Sequence, residues 1–410
     1  MSTTTQAAAP EIEGDDGSRS RHGRRLVAAL GVTQTIGYGV LYYAFSVFLT
    51  PMAADLGASP TQVAAALTGS VLIAALCAPA AGRWLDARGG RGLMTTGSVL
   101  GATAVLAWSA VQHLWQLYLV FAVVGIACAM VLYEAAFAVI VAWYDGDEKG
   151  RAGGLLALTI IAGFASTIFI PLTGLLVETY GWRHALVVLA LVYGVAAIPL
   201  HALVIRRRPA AARTSQAAGE RADLVRTAVR RRPFRLLVIA FTASGGGVAT
   251  VAVLLVTYLI HLGHPPVLAA TLAGLLGLLS VTGRLITTGL QRRLPTALIA
   301  ATIFAVQGIA ALLLPLSGST VAGAVGCVLG FGLGFGIASI TLSHLLVQRY
   351  GTAAYASLSG RIALFSVADK ALAPLGAVAL AQAAGYTWVM AAVATACAIA
   401  AVSLIAYHRI

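Results

Sequence analysis

Charge is scarce in this chain. Only 10% of its 410 residues are Asp, Glu, Lys or Arg, against about 25% in an ordinary soluble domain. Lysine is almost missing: Lys149 and Lys370 are the only two. That scarcity excludes a conventional water-soluble globular protein. Cysteine is sparse too. Cys77, Cys128, Cys327 and Cys397 are scattered through apolar stretches, so neither a disulfide framework nor a metal-ligand spacing is expected. No phosphate-cradling loop is found, and LGFGLGFGIAS at 329–339 follows no strand, so its glycines predict close helix packing and flexibility and no nucleotide site. What fills the chain is apolar: 59% hydrophobic residues and a mean hydropathy of +0.89.

The apolar residues come in runs of the length that crosses a hydrocarbon core about 30 Å thick. Twelve are read, at 26–52, 61–82, 93–112, 117–143, 153–176, 184–206, 236–260, 267–290, 296–315, 320–348, 362–384 and 387–407. Lipid cannot satisfy the edges of an open sheet. The expected fold is therefore all-α: a polytopic membrane protein with 12 transmembrane helices in two six-helix bundles. Of the 27 Lys and Arg residues, 24 fall on one side when the connections are alternated, with Arg183 alone on the other and Arg284 and Lys370 inside spans. The positive-inside rule then places both termini in the cytoplasm, in a cell inner (plasma) membrane. The net charge of +13 is thereby an orientation signal, and no nucleic-acid partner is expected.

Four domains follow. Residues 1–23 are polar and expected to be a disordered cytoplasmic tail, with no signal-peptide core. Residues 24–206 form the first bundle, 207–235 a basic cytoplasmic linker, and 236–410 the second bundle. Within the linker Leu224, Val225, Ala228 and Val229 share one helical face among arginines. That pattern suits a helix on an anionic membrane surface or a solvated basic connector. The bundles echo one another: PTQVAAALTG at 60–69 matches PPVLAATLAG at 265–274, offset by 205 residues, and ASTIFIPL at 165–172 matches ADKALAPL at 368–375, offset by 203. Such internal repeats build many secondary transporters. Ser59, Pro60 and Gln62 form a capping set at the start of the second span.

The connection GRWLDARGGRG at 82–92 resembles the signature loop of the major facilitator superfamily. Gly82, Asp86, Gly89 and Arg91 match it, Arg88 stands one place beyond the usual basic position, and Ala87 and Gly92 depart from it. GWRHAL at 181–186 is also similar to this superfamily. The resemblance covers about 26–407 and implies the pseudo-symmetric 6+6 architecture. It further implies that Asp86 faces the N-terminus of the eleventh helix, where the macrodipole favours an anion, and latches the two halves.

The charges inside the spans fall at one level. At 1.5 Å per residue, Lys370 lies about 12 Å from the inner end of its helix, Arg284 about 9 Å and Glu134 about 13 Å. Gln34, Tyr38, Tyr42 and Ser46 repeat every four residues and share a face. A charge at that depth costs at least ~2.5–3.5 kcal/mol, so it should face protein or water. The layer predicts a polar cavity; a set of structural ion pairs is the competing reading. Fully ionised, Arg284, Lys370, Glu134 and Asp369 sum to zero. A bound carboxylate would leave one excess negative charge, which protonation of Glu134 or Asp369 would remove.

Within the superfamily the chain looks most like the monocarboxylate-porter and oxalate–formate-antiporter branch, on GYGVLYYAFSVFLTPMAADLG of the first span, Gly283–Arg284 and Lys370. That resemblance implies a carboxylate clamped by Arg284 with help from Lys370, and a cavity lined by Tyr133, Tyr38, Tyr42 and Gln34. Ser280 stands where monocarboxylate porters often place an aspartate. The expected function is transport of a small organic anion by alternating access, proton-coupled or by anion exchange. A proton-driven drug or metabolite exporter is the alternative, although GFASTIFIPLTG keeps only Pro171 and Gly174 of the usual fifth-helix run. No enzyme activity, cofactor or metal is expected. The expected partners are the substrate, protons or a counter-anion, and the bilayer, with the chain acting as a monomer.

Overall fold

A computed structural model describes residues 13–206, 215–291 and 293–410. It is all-helical, with no strand among them. Nine described helical stretches are long and apolar enough to cross a membrane. One of these, Glu148–Val204, is two spans: its helix Ala165–Val204 breaks at Gly181, whose φ of 75° a side chain would resist. The third span, Gly90–Ser109, and the divided tenth, Val321–Gly332 with Ala338–Tyr350, complete the twelve.

Sequence chemistry sets several helix ends. The second span, Pro60–Arg88, starts on a full capping box: Gln62 N–H donates to Ser59 Oγ at 3.2 Å and Ser59 N–H to Gln62 Oε1 at 2.9 Å. It stops at Gly89, where φ is 79°. The first helix begins at Glu13, inside the stretch expected to be disordered. His22 lies 4.7 Å from the Trp143 ring, and that contact lets an already nucleated helix continue past the membrane. Residues 1–12 lie outside the described residues.

Three cores hold the bundles. One, at the end carrying the arginine-rich connections, draws on both halves, from Leu26, Leu85 and Ile140 to Leu237, Leu346 and Leu404. At the opposite end the cores are separate: Phe48, Trp108 and Phe121 in the first half, and Tyr258, Leu314 and Met390 in the second. The halves are thus joined at the basic end and parted at the other. Lipid offers no hydrophobic gain for helix association, so close packing of small residues must do it. At the crossing of the second and eleventh spans a Cβ on Gly82 would overlap the Ala356 carbonyl oxygen, and one on Gly360 that of Ala78. Polar ties add to this. Thr352 Oγ1 donates to Asp145 Oδ1 at 2.8 Å, and His344 Nε2 lies 3.3 Å from Glu148 Oε1, both across the halves.

The reading of the linker changes. The linker helix, Ser215–Arg230, buries Val225 and Ala228 in the shared basic-end core, with Leu224 and Val229 packed against it. Its apolar face is covered by protein, so the helix does not lie on lipid by that face. The helix Arg232–His261 runs unbroken through the three glycines at 245–247. The sequence also concealed a polar tie in the peripheral spans. Buried His201 of the sixth span lies 2.6 Å from Ser98 Oγ of the third and 3.0 Å from Thr33 Oγ1 of the first.

Candidate functional site

The functional region begins where helices are interrupted. The fourth span is two helices, Leu114–Val131 and Tyr133–Trp143, with Leu132 extended between them at φ −81° and ψ −165°. The tenth is interrupted at 333–337. Each break frees backbone carbonyls that lipid cannot satisfy. A fully buried glutamine answers each: Gln34 Nε2 donates to Val131 O at 2.6 Å, and Gln307 Nε2 to Phe331 O at 2.8 Å. This corrects one assignment. Gln34 is 0% exposed and caps a broken helix, so it is not available to line a substrate cavity.

Beside the first break stands the acid. Glu134 is in the first turn of Tyr133–Trp143, where the helix dipole favours negative charge. Ser359 of the eleventh span donates its hydroxyl to Glu134 Oε2 at 2.7 Å, across the halves. Lys370, about three turns further along that helix, is the cation within electrostatic range of Glu134. The lysine is exposed at its surface, and its stem packs against Gly245 of the seventh span. Among the described residues the two do not close into a contact ion pair.

Arg284 occupies a different corner. It is half-buried, and its Nε donates to Gly336 O at 3.0 Å, a carbonyl at the second helix break. Its Nη1 donates to Thr159 O at 2.9 Å on the fifth span, again across the halves. Tyr133, Tyr43 and Tyr38 are its electrostatic neighbours, and no carboxylate is among them. A guanidinium has five N–H groups, so these two carbonyls leave three for another acceptor.

The tyrosines form one aromatic group. Tyr38 and Tyr133 rings are 4.7 Å apart, Tyr38 and Tyr43 6.4 Å, and Tyr42 and Tyr43 5.3 Å. Tyr42 is 40% exposed. Tyr43 is the residue that spacing by four did not select. Gly39–Tyr43 is a π-helical turn, which adds one residue to the repeat and brings Tyr43 round to the Tyr38 side.

Asp369 does not join this cluster. Its carboxylate packs against Gly246, whereas the Lys370 side chain packs against Gly245. It lines a groove of about 540 Å3 between the seventh, eleventh and twelfth spans, together with half-exposed Phe365 and Ile239. The four-charge layer therefore divides: Asp369 lines the lateral groove, Glu134 and Lys370 are electrostatic neighbours, and Arg284 stands with the tyrosines.

The signature connection sits at the basic end. Asp86, 6% exposed, accepts the N–H of Ala356 at 3.1 Å on Oδ1 and that of Ser357 at 2.6 Å on Oδ2. Both donors are in the first turn of the eleventh span, Tyr355–Ala384. Arg88 lies over the Trp84 ring at 4.3 Å, and Arg91 is half-buried at the start of the third span. Gly82 and Gly89 allow the crossing and the stop described above.

A helix-capping aspartate bridging two six-helix halves is accompanied by a sequence match. The profile of the Major Facilitator Superfamily fits residues 31–368. The chain belongs to the major facilitator superfamily. Among curated proteins it is 33% identical over 296 residues to an "MFS-type efflux pump" of Mycolicibacterium smegmatis, covering 68% of this chain. The chain spans 66% of that relative's length. Among solved structures it is similar to the human organic anion transporter MFSD10, with a TM-score of 0.72, 15% identity and coverage of 93% and 99% of the two chains. It is also similar to the E. coli fucose:proton symporter FucP, with a TM-score of 0.70, 13% identity and coverage of 93% and 97%. At such identities these two structures speak for the superfamily fold alone.

Proposed function

We propose that this superfamily member moves a small organic anion by alternating access, with Arg284 as its principal ligand. The observation that carries the reading is a guanidinium held by two backbone carbonyls with no carboxylate beside it. A planar fork suits a carboxylate bidentately, while Lys370 adds a point charge. Tyr38, Tyr42, Tyr43 and Tyr133 line the approach and supply hydroxyl donors. The resemblance to the oxalate–formate branch agrees with this assignment.

The charge sum sharpens the substrate. With Asp369 turned to its own groove, Arg284, Lys370 and Glu134 sum to +1 when ionised. One monocarboxylate neutralises them directly. A dicarboxylate brings one further negative charge, and Glu134 is the group placed to take up the compensating proton. Proton symport and anion exchange both fit this arithmetic, and Asp369 has no part in it. With the basic end in the cytoplasm, the joined arrangement is the outward-open state and the Asp86 cap is its latch. The likeness to an efflux pump favours a second reading in which the same cycle runs toward export.

The test is uptake of labelled mono- and dicarboxylates into proteoliposomes, with and without a pH gradient. Arg284→Gln is expected to abolish transport and Lys370→Gln to raise KM. Undiminished uptake by both variants would defeat the assignment.

A further inference from the structure

The linker helix roofs a second cleft at the basic end, with a volume of about 480 Å3. Five guanidinium groups line it: Arg83 from the second span, Arg361 from the eleventh, and Arg221, Arg226 and Arg230 from the linker helix. The one acid on its wall is Asp86, whose two oxygens already accept the Ala356 and Ser357 N–H groups. Arg226 is 3.1 Å from exposed Asp223, and Arg361 Nη1 donates to Ser357 O at 3.0 Å. Arg361 feels the charge of Arg83 and, with the opposite sign, that of Asp86. The wall therefore gathers five cations from three separate elements around one carboxylate, an excess of positive charge that an added anion would offset.

The helix is held there independently of any anion, because Val225 and Ala228 are buried in the shared core. The arginines are consequently presented by a fixed scaffold. Several guanidinium forks around one small cleft match a phosphate group, whose tetrahedral oxygens accept from more than one fork at once.

We propose that this cleft binds a phosphate-bearing anion that ties the linker helix to both halves at the basic end. The source is the headgroup of an anionic phospholipid or a soluble phosphate compound; the recognition chemistry is the same. Because the walls come from both halves, an occupant that requires all of them favours the joined arrangement over any state in which they part. This inference does not depend on the identity of the transported substrate.

The experiment uses the full chain in nanodiscs of neutral phosphatidylcholine. One arm titrates pyrophosphate; the other dopes the nanodisc with phosphatidylglycerol. Binding and the melting midpoint are measured for the wild type, for Arg221→Gln/Arg226→Gln/Arg230→Gln, and for Arg293→Gln as a charge control at the same end. A midpoint raised by phosphatidylglycerol alone assigns the site to lipid, and one raised by pyrophosphate assigns it to a soluble phosphate. In either case the triple variant should bind roughly 100-fold more weakly, at about fivefold for each arginine, while Arg293→Gln stays close to wild type. Should the triple variant fail to fold, Arg226→Gln alone should weaken binding about fivefold. Binding of neither probe, or equal loss in Arg293→Gln, overturns the proposal.

Discussion

Replacing Asp86 with asparagine changes one atom and removes one charge from the contact between the halves. In the present arrangement both carboxylate oxygens accept backbone N–H groups, at 3.1 and 2.6 Å, and the side chain is 6% exposed. Solvent screening is therefore slight. A hydrogen bond to a charged group contributes about 1.5–3 kcal/mol net, and a neutral one about 0.5–1.5. Asn keeps one acceptor oxygen and turns an amide N–H toward a donor, so one bond weakens and the other is lost. The combined effect is about 2–4 kcal/mol, which moves the equilibrium away from the joined basic end by roughly 30- to 700-fold. Spin labels on the exposed positions Arg88 and Arg349 would report it as growth of a longer distance population in pulsed electron resonance spectra. Asp86→Glu should be intermediate, since it keeps the charge but not the geometry. An Asp86→Asn distribution identical to the wild type would refute the latch.

Other outcomes follow from the same geometry. Gly360→Val should block the joined state or prevent stable expression, because its side chain meets the Ala78 carbonyl and neither backbone can withdraw; normal melting and transport would contradict this. Gln34→Leu orphans the Val131 carbonyl and should cost about 1–3 kcal/mol of stability, seen as a lower melting midpoint with the substrate KM unchanged. Glu134→Gln raises the charge sum to +2, so monocarboxylate exchange should be impaired while dicarboxylate uptake proceeds without a response to a pH gradient. Asp369→Asn should leave both activities in place, and a loss of coupling there would return that acid to the transport cycle.

Some of the site was readable in the linear order of residues. Arg284, Lys370 and Glu134 were conspicuous because an ion within an apolar run is costly, so its presence alone singles it out. Gly82 and Asp86 were readable because their spacing repeats a family signature. Gln34 misled for the opposite reason. Its spacing with Tyr38 and Tyr42 is that of a regular helix, and nothing local announces that the fourth span breaks at Leu132 and needs a donor there. Tyr43 was hidden by the π-helical turn at Gly39–Tyr43, which abolishes the four-residue repeat on which the choice rested.

The chain alone, then, determined the twelve spans, their division into two halves and the gathering of the basic connections at one end, because hydrophobic length and charge are local properties that act wherever the chain goes. It also showed that the linker has an apolar face. Only the tertiary structure decided what covers that face, which neighbours each intramembrane charge meets, and that Asp369 and Lys370, adjacent in sequence, pack against different glycines of the seventh span. Those outcomes depend on helix rotation and on breaks that arise where distant backbones press together, and no short window of sequence contains both partners of such a contact.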